Sequence, residues 1–292
     1  MNRYKNFDLW KLTSSAFIAG MMLITVSCDV VEAPYEETPD IPDTTVAVPQ
    51  NILLEDFTGH YCGNCPEGTK VVRQLEAAYG ERLIVIAMHV GNLALPSPPD
   101  FPMDFRCKEG NDIDKTFKVA LSGIPKGFIN RFNNGLGLLL DKGEWPTIVA
   151  SEMTRKAAVD LKVNRTYDST TKTVTLDVTV KYLDSGTVDD NLVAMLTESN
   201  IISDQLDYKA NPQHIEDYEF DYMLRASFNG AWGEPLSSTS IPAGTTITKQ
   251  LTYTLPAGKT WVPENCDVVV YVHRHNTTKQ VLQVKKVSLT GL

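Results

Sequence analysis

Ile52-Leu53-Leu54-Glu55-Asp56-Phe57-Thr58-Gly59-His60-Tyr61-Cys62-Gly63-Asn64-Cys65-Pro66 is the stretch on which the reading of this chain turns. Residues 52–57 are predicted to be a buried strand, and Pro66 to Tyr79 an amphipathic helix. In that helix Val71, Leu75, Ala78 and Tyr79 recur at helical spacing, and Gly80 is a natural C-cap. The two cysteines therefore fall on a strand-to-helix turn, three residues apart, where they can close a small disulfide loop. A helix N-terminus offers the first sulfur unpaired N–H groups and a positive dipole end, which favour thiolate over thiol. A pair so placed points to redox chemistry. Half of a zinc site is the alternative, but zinc would need a second C-x-x-C or a close His pair, and the sequence supplies neither.

Ser122-Gly123-Ile124-Pro125-Lys126-Gly127-Phe128-Ile129 follows downstream, immediately before another expected strand. It resembles the loop that carries the cis-proline of thioredoxins. An X-Pro bond costs little to be cis, and a cis bond here would turn the Ile124 backbone toward the cysteine pair, to position a substrate strand. Asp56 lies six residues before Cys62, where thioredoxins keep a buried acid that helps move protons at the second cysteine. Glu55 competes for that role, and a solvated strand-end carboxylate is the plain reading of Asp56. His60 could help stabilise a Cys62 thiolate or be an exposed loop histidine, and Lys126 places a cation near the pair.

Strand, helix and the continuous apolar strand 83–90 make a right-handed βαβ unit. A Pro-rich loop (95–102), a helix over 112–121 with Ile113, Phe117, Ala120 and Leu121 on one face, strand 127–132 and a helix from Pro146 to about 158 complete an order like that of a thioredoxin fold with an insertion. Around residue 159 the texture changes. Val174, Leu176, Val178, Val180 and Tyr182 alternate with polar residues, and Ile247, Leu251, Tyr253 and Leu255 repeat the pattern. Further strands are expected at 191–197, 266–273 and 280–289. The expected fold is thus an α/β thioredoxin-like domain (51–158) followed by an all-β immunoglobulin-like sandwich (159–292). Residues 205–233 read as a long irregular stretch rich in aromatics, either a binding surface or an ordinary strand and loop packed on the domain.

The 292 residues carry a net charge of −9 and no basic run beyond Lys285-Lys286, so nucleic acid is not an expected partner. Arg3, Lys5 and Lys11 precede an apolar run from Ala16 to Val26, and Ser27-Cys28 follows. Residues 1–27 read as a lipoprotein-type signal peptide, with Cys28 as the acylated membrane anchor; a plain signal peptide cut nearby is the alternative. Residues 28–50 are acidic and Pro/Thr-rich, a disordered tether. Of five cysteines, four then remain in an oxidising compartment: Cys62, Cys65, Cys107 and Cys266. The last two could pair with each other, or act separately as a resolving thiol and a core residue. His273 and His275 share a strand face without an evident carboxylate partner, so neither metal nor cofactor is expected.

With these pieces placed, the chain resembles the Omp twenty-eight-related outer membrane lipoproteins of Bacteroidota-type bacteria. The resemblance rests on residues 54–66, on Gly123-Ile124-Pro125-Lys126-Gly127-Phe128-Ile129-Asn130-Arg131 and on the strand-rich second half. It implies an envelope lipoprotein in which a thioredoxin-like domain is joined to a β-sandwich. Two functions fit. One is thiol–disulfide exchange on envelope protein thiols or disulfides, with Cys62 attacking and Cys65 resolving. The other is a surface-ligand binding or adhesion protein in which the cysteine pair is a structural disulfide.

Overall fold

Residues 52–58 form β1 (Ile52–Thr58), buried along its whole length, and the helical spacing after it forms α1 (Cys65–Tyr79). The computed structural model describes residues 47–291 apart from 134 and 136, so the leader 1–27, Cys28 and most of the tether lie outside the described residues. β2 (Leu83–His89) runs parallel to β1, in register from Ile52↔Leu83 to Thr58↔His89. Helix α2 (Lys108–Phe117) starts and stops earlier than the spacing predicts. Cys107 Sγ caps its start by accepting from the Gly110 N–H at 3.4 Å, and Lys118 ends it in the left-handed conformation (φ 56°). A 3₁₀ turn then leaves Leu121, expected on the buried face, 86% exposed.

β3 (Lys126–Ile129) lies antiparallel to β1 on its other side, and β4 (Leu140–Asp141) pairs outside β3. β3 is shorter than expected because Asn130 and Arg131 take φ of 49° and 45°, which strand geometry excludes. Helix α3 (Trp145–Glu152) also stops short of residue 158. The chain beyond it pairs with the segment before β1 instead, the Ala157 N–H donating to Val48 O at 2.9 Å.

The remaining chain is β5 (Val159–Asp168), β6 (Thr173–Tyr182), β7 (Asp190–Glu198), β8 (Ile201–Leu206), β9 (His214–Phe220), β10 (Met223–Ser227), β11 (Glu234–Pro235), β12 (Thr246–Thr254), β13 (Cys266–Arg274) and β14 (Val281–Ser288). The aromatic stretch 205–233 is therefore ordered structure: the end of β8, all of β9, and β10. Strands β12, β6 and β5 form a three-stranded sheet, and β8 and β9 a separate hairpin. Every other strand joins a nine-stranded mixed sheet in the order β14-β13-β7-β10-β2-β1-β3-β4, with β11 also on β7. The architecture is β-rich, with few helices.

That sheet revises the two-body expectation. The second half does own a sandwich-like core, in which Val174, Leu176, Val178 and Val180 of β6 meet Leu192, Ala194 and Leu196 of β7 and Val268, Val270 and Val272 of β13. The opposite faces of β7 and β13, however, carry Val193, Met195, Val269 and Tyr271, which pack in one cluster with Leu53, Phe57, Ile84, Ile86 and Met88 of β1 and β2. Side chains alternate across a strand, so β7 is buried on both faces, one shared with each half. Each such side chain is worth about 1.5–3 kcal/mol when fully buried. β10 completes the join by lying between β7 and β2, and residues 46–292 form one compact unit.

The sheet also curls until its β14 end meets the start of β1. Gln50 Nε2 donates to Val281 O (3.1 Å), Asn51 Nδ2 to Val284 O (3.0 Å), and the Val281 N–H to Asn130 O (2.8 Å). Inside the curl Arg131 Nε donates to Glu55 Oε2 at 2.7 Å, and Nη2 to Oε1 at 2.5 Å. The guanidinium packs against Phe117, Trp232 and Tyr271. Both partners are fully buried, so the ion pair ties β1 to the turn after β3.

Candidate functional site: the Cys62–Cys65 disulfide

Cys62 and Cys65 form a disulfide, with Cα atoms 5.4 Å apart. Cys65 is the first residue of α1, and its N–H donates to Cys62 O at 3.0 Å, so the pair sits at the positive end of the helix dipole. The Ile124–Pro125 bond is cis, and the Ile124 carbonyl oxygen lies 3.7 Å from Cys62 Sγ. Two segments more than fifty residues apart thus meet at the disulfide. Gly127, just beyond, cannot be larger: a Cβ there would stand 2.9 Å from the Trp145 ring and 3.0 Å from Glu55 O.

The two competing carboxylates separate by face. Glu55 points into the curl and is engaged by Arg131. Asp56 points the other way, toward the α1 side, where Thr58, Thr69, Val72, His89 and Tyr218 line a small cavity with it. It is buried, its Oδ1 has no hydrogen-bond partner, and burial raises its pKa to about 7. Asp56 is therefore a buried acid with a raised pKa, and it is not the solvated strand-end group of the plain reading.

His60 is neither an exposed loop residue nor a cation beside the sulfur. It is buried among His89, Phe101 and Phe105, with ring centroids 6.3, 5.8 and 5.5 Å away, and burial lowers its pKa. Burial likewise takes His89 down to about 3. Lys126 Nζ is bound to Asp141 Oδ1 at 2.6 Å, so its charge is already partnered. Cys107 and Cys266 are both free thiols and do not pair; burial lifts them to about 11 and about 12, which makes them poor nucleophiles at neutral pH. His273 is buried, with Nε2 3.1 Å from Trp232 O, and among the described residues no three His, Cys, Asp or Glu side chains converge as metal ligands. No helix among the described residues is long and apolar enough to cross a membrane.

What sequence reasoning missed is the cover. Cys62 is only 3% exposed. The tip of the β8–β9 hairpin lies along residues 60–63: the Leu206 N–H donates to His60 O (2.9 Å), Gln205 Nε2 to Cys62 O (3.2 Å) and the Tyr208 N–H to Gly63 O (2.9 Å). The Tyr208 ring rests on Gly63 so closely that a Cβ there would be 2.4 Å from it. Lys209 Nζ reaches Glu67 Oε2 at 2.7 Å. Glu67 is bound by Lys209 and Lys70, and these two hold its pKa down at about 2. The aromatic richness of the stretch was a signal of burial, but its target lies more than 140 residues earlier.

Fold and site together define a β-rich, mixed-sheet protein with a C-x-x-C disulfide at a helix start. The profile of the family Outer membrane protein Omp28 matches residues 111–291, more than half of the chain, and the chain belongs to that family. Membership places it at the outer membrane of the cell envelope. HBP35 of Porphyromonas gingivalis is similar in fold, with a TM-score of 0.59, 17% identity, and coverage of 83% of this chain and 76% of that one. A domain of the outer membrane lipoprotein Omp28 from Porphyromonas gingivalis is 21% identical over 46% of this chain and 89% of its own, with a TM-score of 0.30. A protein of Agrobacterium tumefaciens matches with a TM-score of 0.46 and 14% identity, over 85% of this chain and 96% of its own. No curated protein sequence matches significantly.

Proposed function

We propose that this envelope protein carries out thiol–disulfide exchange through Cys62 and Cys65, held in a thioredoxin-like arrangement of β1, α1, β2 and β3 and anchored to the membrane through a lipid on Cys28. The observation that carries the reading is the convergence on one disulfide of a helix N-terminus and the Ile124 carbonyl, 3.7 Å from Cys62 Sγ. In the reduced protein the Cys62 thiolate attacks one sulfur of a partner disulfide, forming a mixed disulfide and releasing the partner's other sulfur as a thiolate. Cys65 then attacks Cys62 Sγ, so the partner leaves as a dithiol and the Cys62–Cys65 disulfide is restored. Asp56, with a pKa near neutrality, is suited to accept the Cys65 proton as that attack proceeds. Ile124 and Pro125 position the partner's backbone beside Cys62.

The test is disulfide exchange with insulin. Cys62→Ser is expected to abolish it, and Cys65→Ser to trap a mixed disulfide with the substrate. Reduced protein that shows no exchange in either direction, and alkylates no faster at Cys62 than at Cys107, overturns the reading. The second reading, a surface-ligand binding protein with a structural disulfide, then stands; the near-complete burial of Cys62 favours it.

A further inference from the structure

We propose that the tip of the β8–β9 hairpin is a lid over the Cys62–Cys65 disulfide, and that its opening controls access to the site. The inference rests on the exchange reading for its biological meaning, but the shielding itself does not depend on it. An attacking thiolate must approach the target sulfur along the S–S axis, and a Cys62 that is 3% exposed offers no such approach.

The hairpin is built so that its tip can move on a fixed root. Its two strands pair only with each other and belong to neither of the larger sheets. Its root is packed: Phe220 is buried in a cluster with Phe105 and Met223, and Ile201 packs against them. Between root and tip the register breaks, from Ser203↔Tyr218 to Gln205↔Ile215, and a bulge of this kind bends a strand pair locally. Beyond the break, the contacts to the body are few: the donors from Gln205, Leu206 and Tyr208, the Lys209–Glu67 ion pair, the Tyr208 ring on Gly63, and the His214 ring against Phe101 at 4.8 Å. Tyr208 is 56% exposed even as its ring covers Gly63, so it can leave without uncovering an apolar core. Gln205 is buried at 2% exposure, but no apolar cluster of the core among the described residues includes a tip residue from 205 to 213, and segments with few buried apolar contacts are the ones that open locally.

A partner that pairs with the His60 and Gly63 carbonyls would have to displace the Leu206 and Tyr208 N–H groups that occupy them. The lid thus competes with any extended polypeptide approaching along residues 60–63. Its release exposes the sulfur and the backbone acceptors together.

The experiment follows reduction of the disulfide by excess dithiothreitol, with iodoacetamide trapping and mass analysis, in the otherwise intact protein. In that reaction a dithiothreitol thiolate attacks one sulfur, its second thiol closes the reagent into a ring, and Cys62 and Cys65 are left as thiols. Tyr208→Ala with Lys209→Glu removes the ring and turns the ion pair into a repulsion, and reduction is expected to accelerate about tenfold. Glu216→Ala, an exposed change on β9, should leave the rate unaltered. Rates within about twofold of wild type in the double variant, with an unchanged thermal midpoint, overturn the lid. Hydrogen exchange on the wild-type protein decides the matter if the double variant does not fold. Leu206 and Tyr208 amides that exchange well before those of β7 support the lid, and amides that exchange only with β7 refute it. Faster reduction without insulin exchange would keep the lid and remove the exchange reading, whereas insulin exchange with an unaltered reduction rate would do the reverse.

Discussion

Asp56→Asn is expected to change how stability depends on pH, rather than stability at one pH. The carboxyl is buried with one oxygen unpartnered, and its pKa rises from 3.8 to about 7 on folding. A raised folded-state value means that the folded protein holds this proton more tightly than the unfolded chain. The group's stabilising contribution is then fully present below the unfolded value of 3.8 and is lost as pH climbs through 7. Every tenfold difference in proton affinity between the folded and unfolded chain corresponds to about 1.4 kcal/mol, so the whole window is worth on the order of 4 kcal/mol, and the part between about pH 4.5 and pH 8 about 3 kcal/mol. Asparagine does not titrate. Its buried amide has a cost of its own, but that cost is the same at both pH values and cancels in the comparison. The assay is urea unfolding of the oxidised protein and the variant at each pH. The stability of the variant relative to wild type should rise by about 3 kcal/mol on going from about pH 4.5 to pH 8. A difference constant to within about 0.5 kcal/mol would refute the account of Asp56 as an unpaired, buried acid.

Arg131→Met should cost about 3–5 kcal/mol in urea unfolding, because it leaves the Glu55 carboxylate buried and uncompensated. Adding Glu55→Leu should recover most of that, and a single variant costing under about 1 kcal/mol would contradict the pair's burial. The fragment 159–292 is expected to bind a hydrophobic dye and melt without cooperativity, since it would expose Val193, Met195, Val269 and Tyr271. Cooperative unfolding of that fragment would show that packing on β1 and β2 is dispensable. Cys28→Ala should move the protein from the membrane to the soluble envelope fraction, and retention in the membrane at unchanged mass would remove the lipid anchor from the proposal.

The sequence alone determined what local chemistry dictates. Strand β1, helix α1 and strand β2 follow from an apolar run, a 3.6-residue period and a second apolar run. The alternation along β6 and β12 announced strands with one face in a core, and the C-x-x-C and Ile-Pro motifs announced the site. Tertiary structure decided the rest, because the deciding partners are distant in sequence. Glu55 and Asp56 are indistinguishable until Arg131, turned inward by two positive-φ residues after β3, claims one of them. The continuous apolar runs of β7 and β13 say only that both faces are buried. That one face meets β6 and the other meets β1 and β2, fusing two expected bodies into one sheet, depends on the crossover that inserts β10 beside β2. The cover on Cys62 is held by the Leu206 and Tyr208 N–H groups together with Gln205, Tyr208 and Lys209 side chains, whose partners are backbone carbonyls and a residue more than 140 positions earlier, so the aromatic stretch announced burial but not its target.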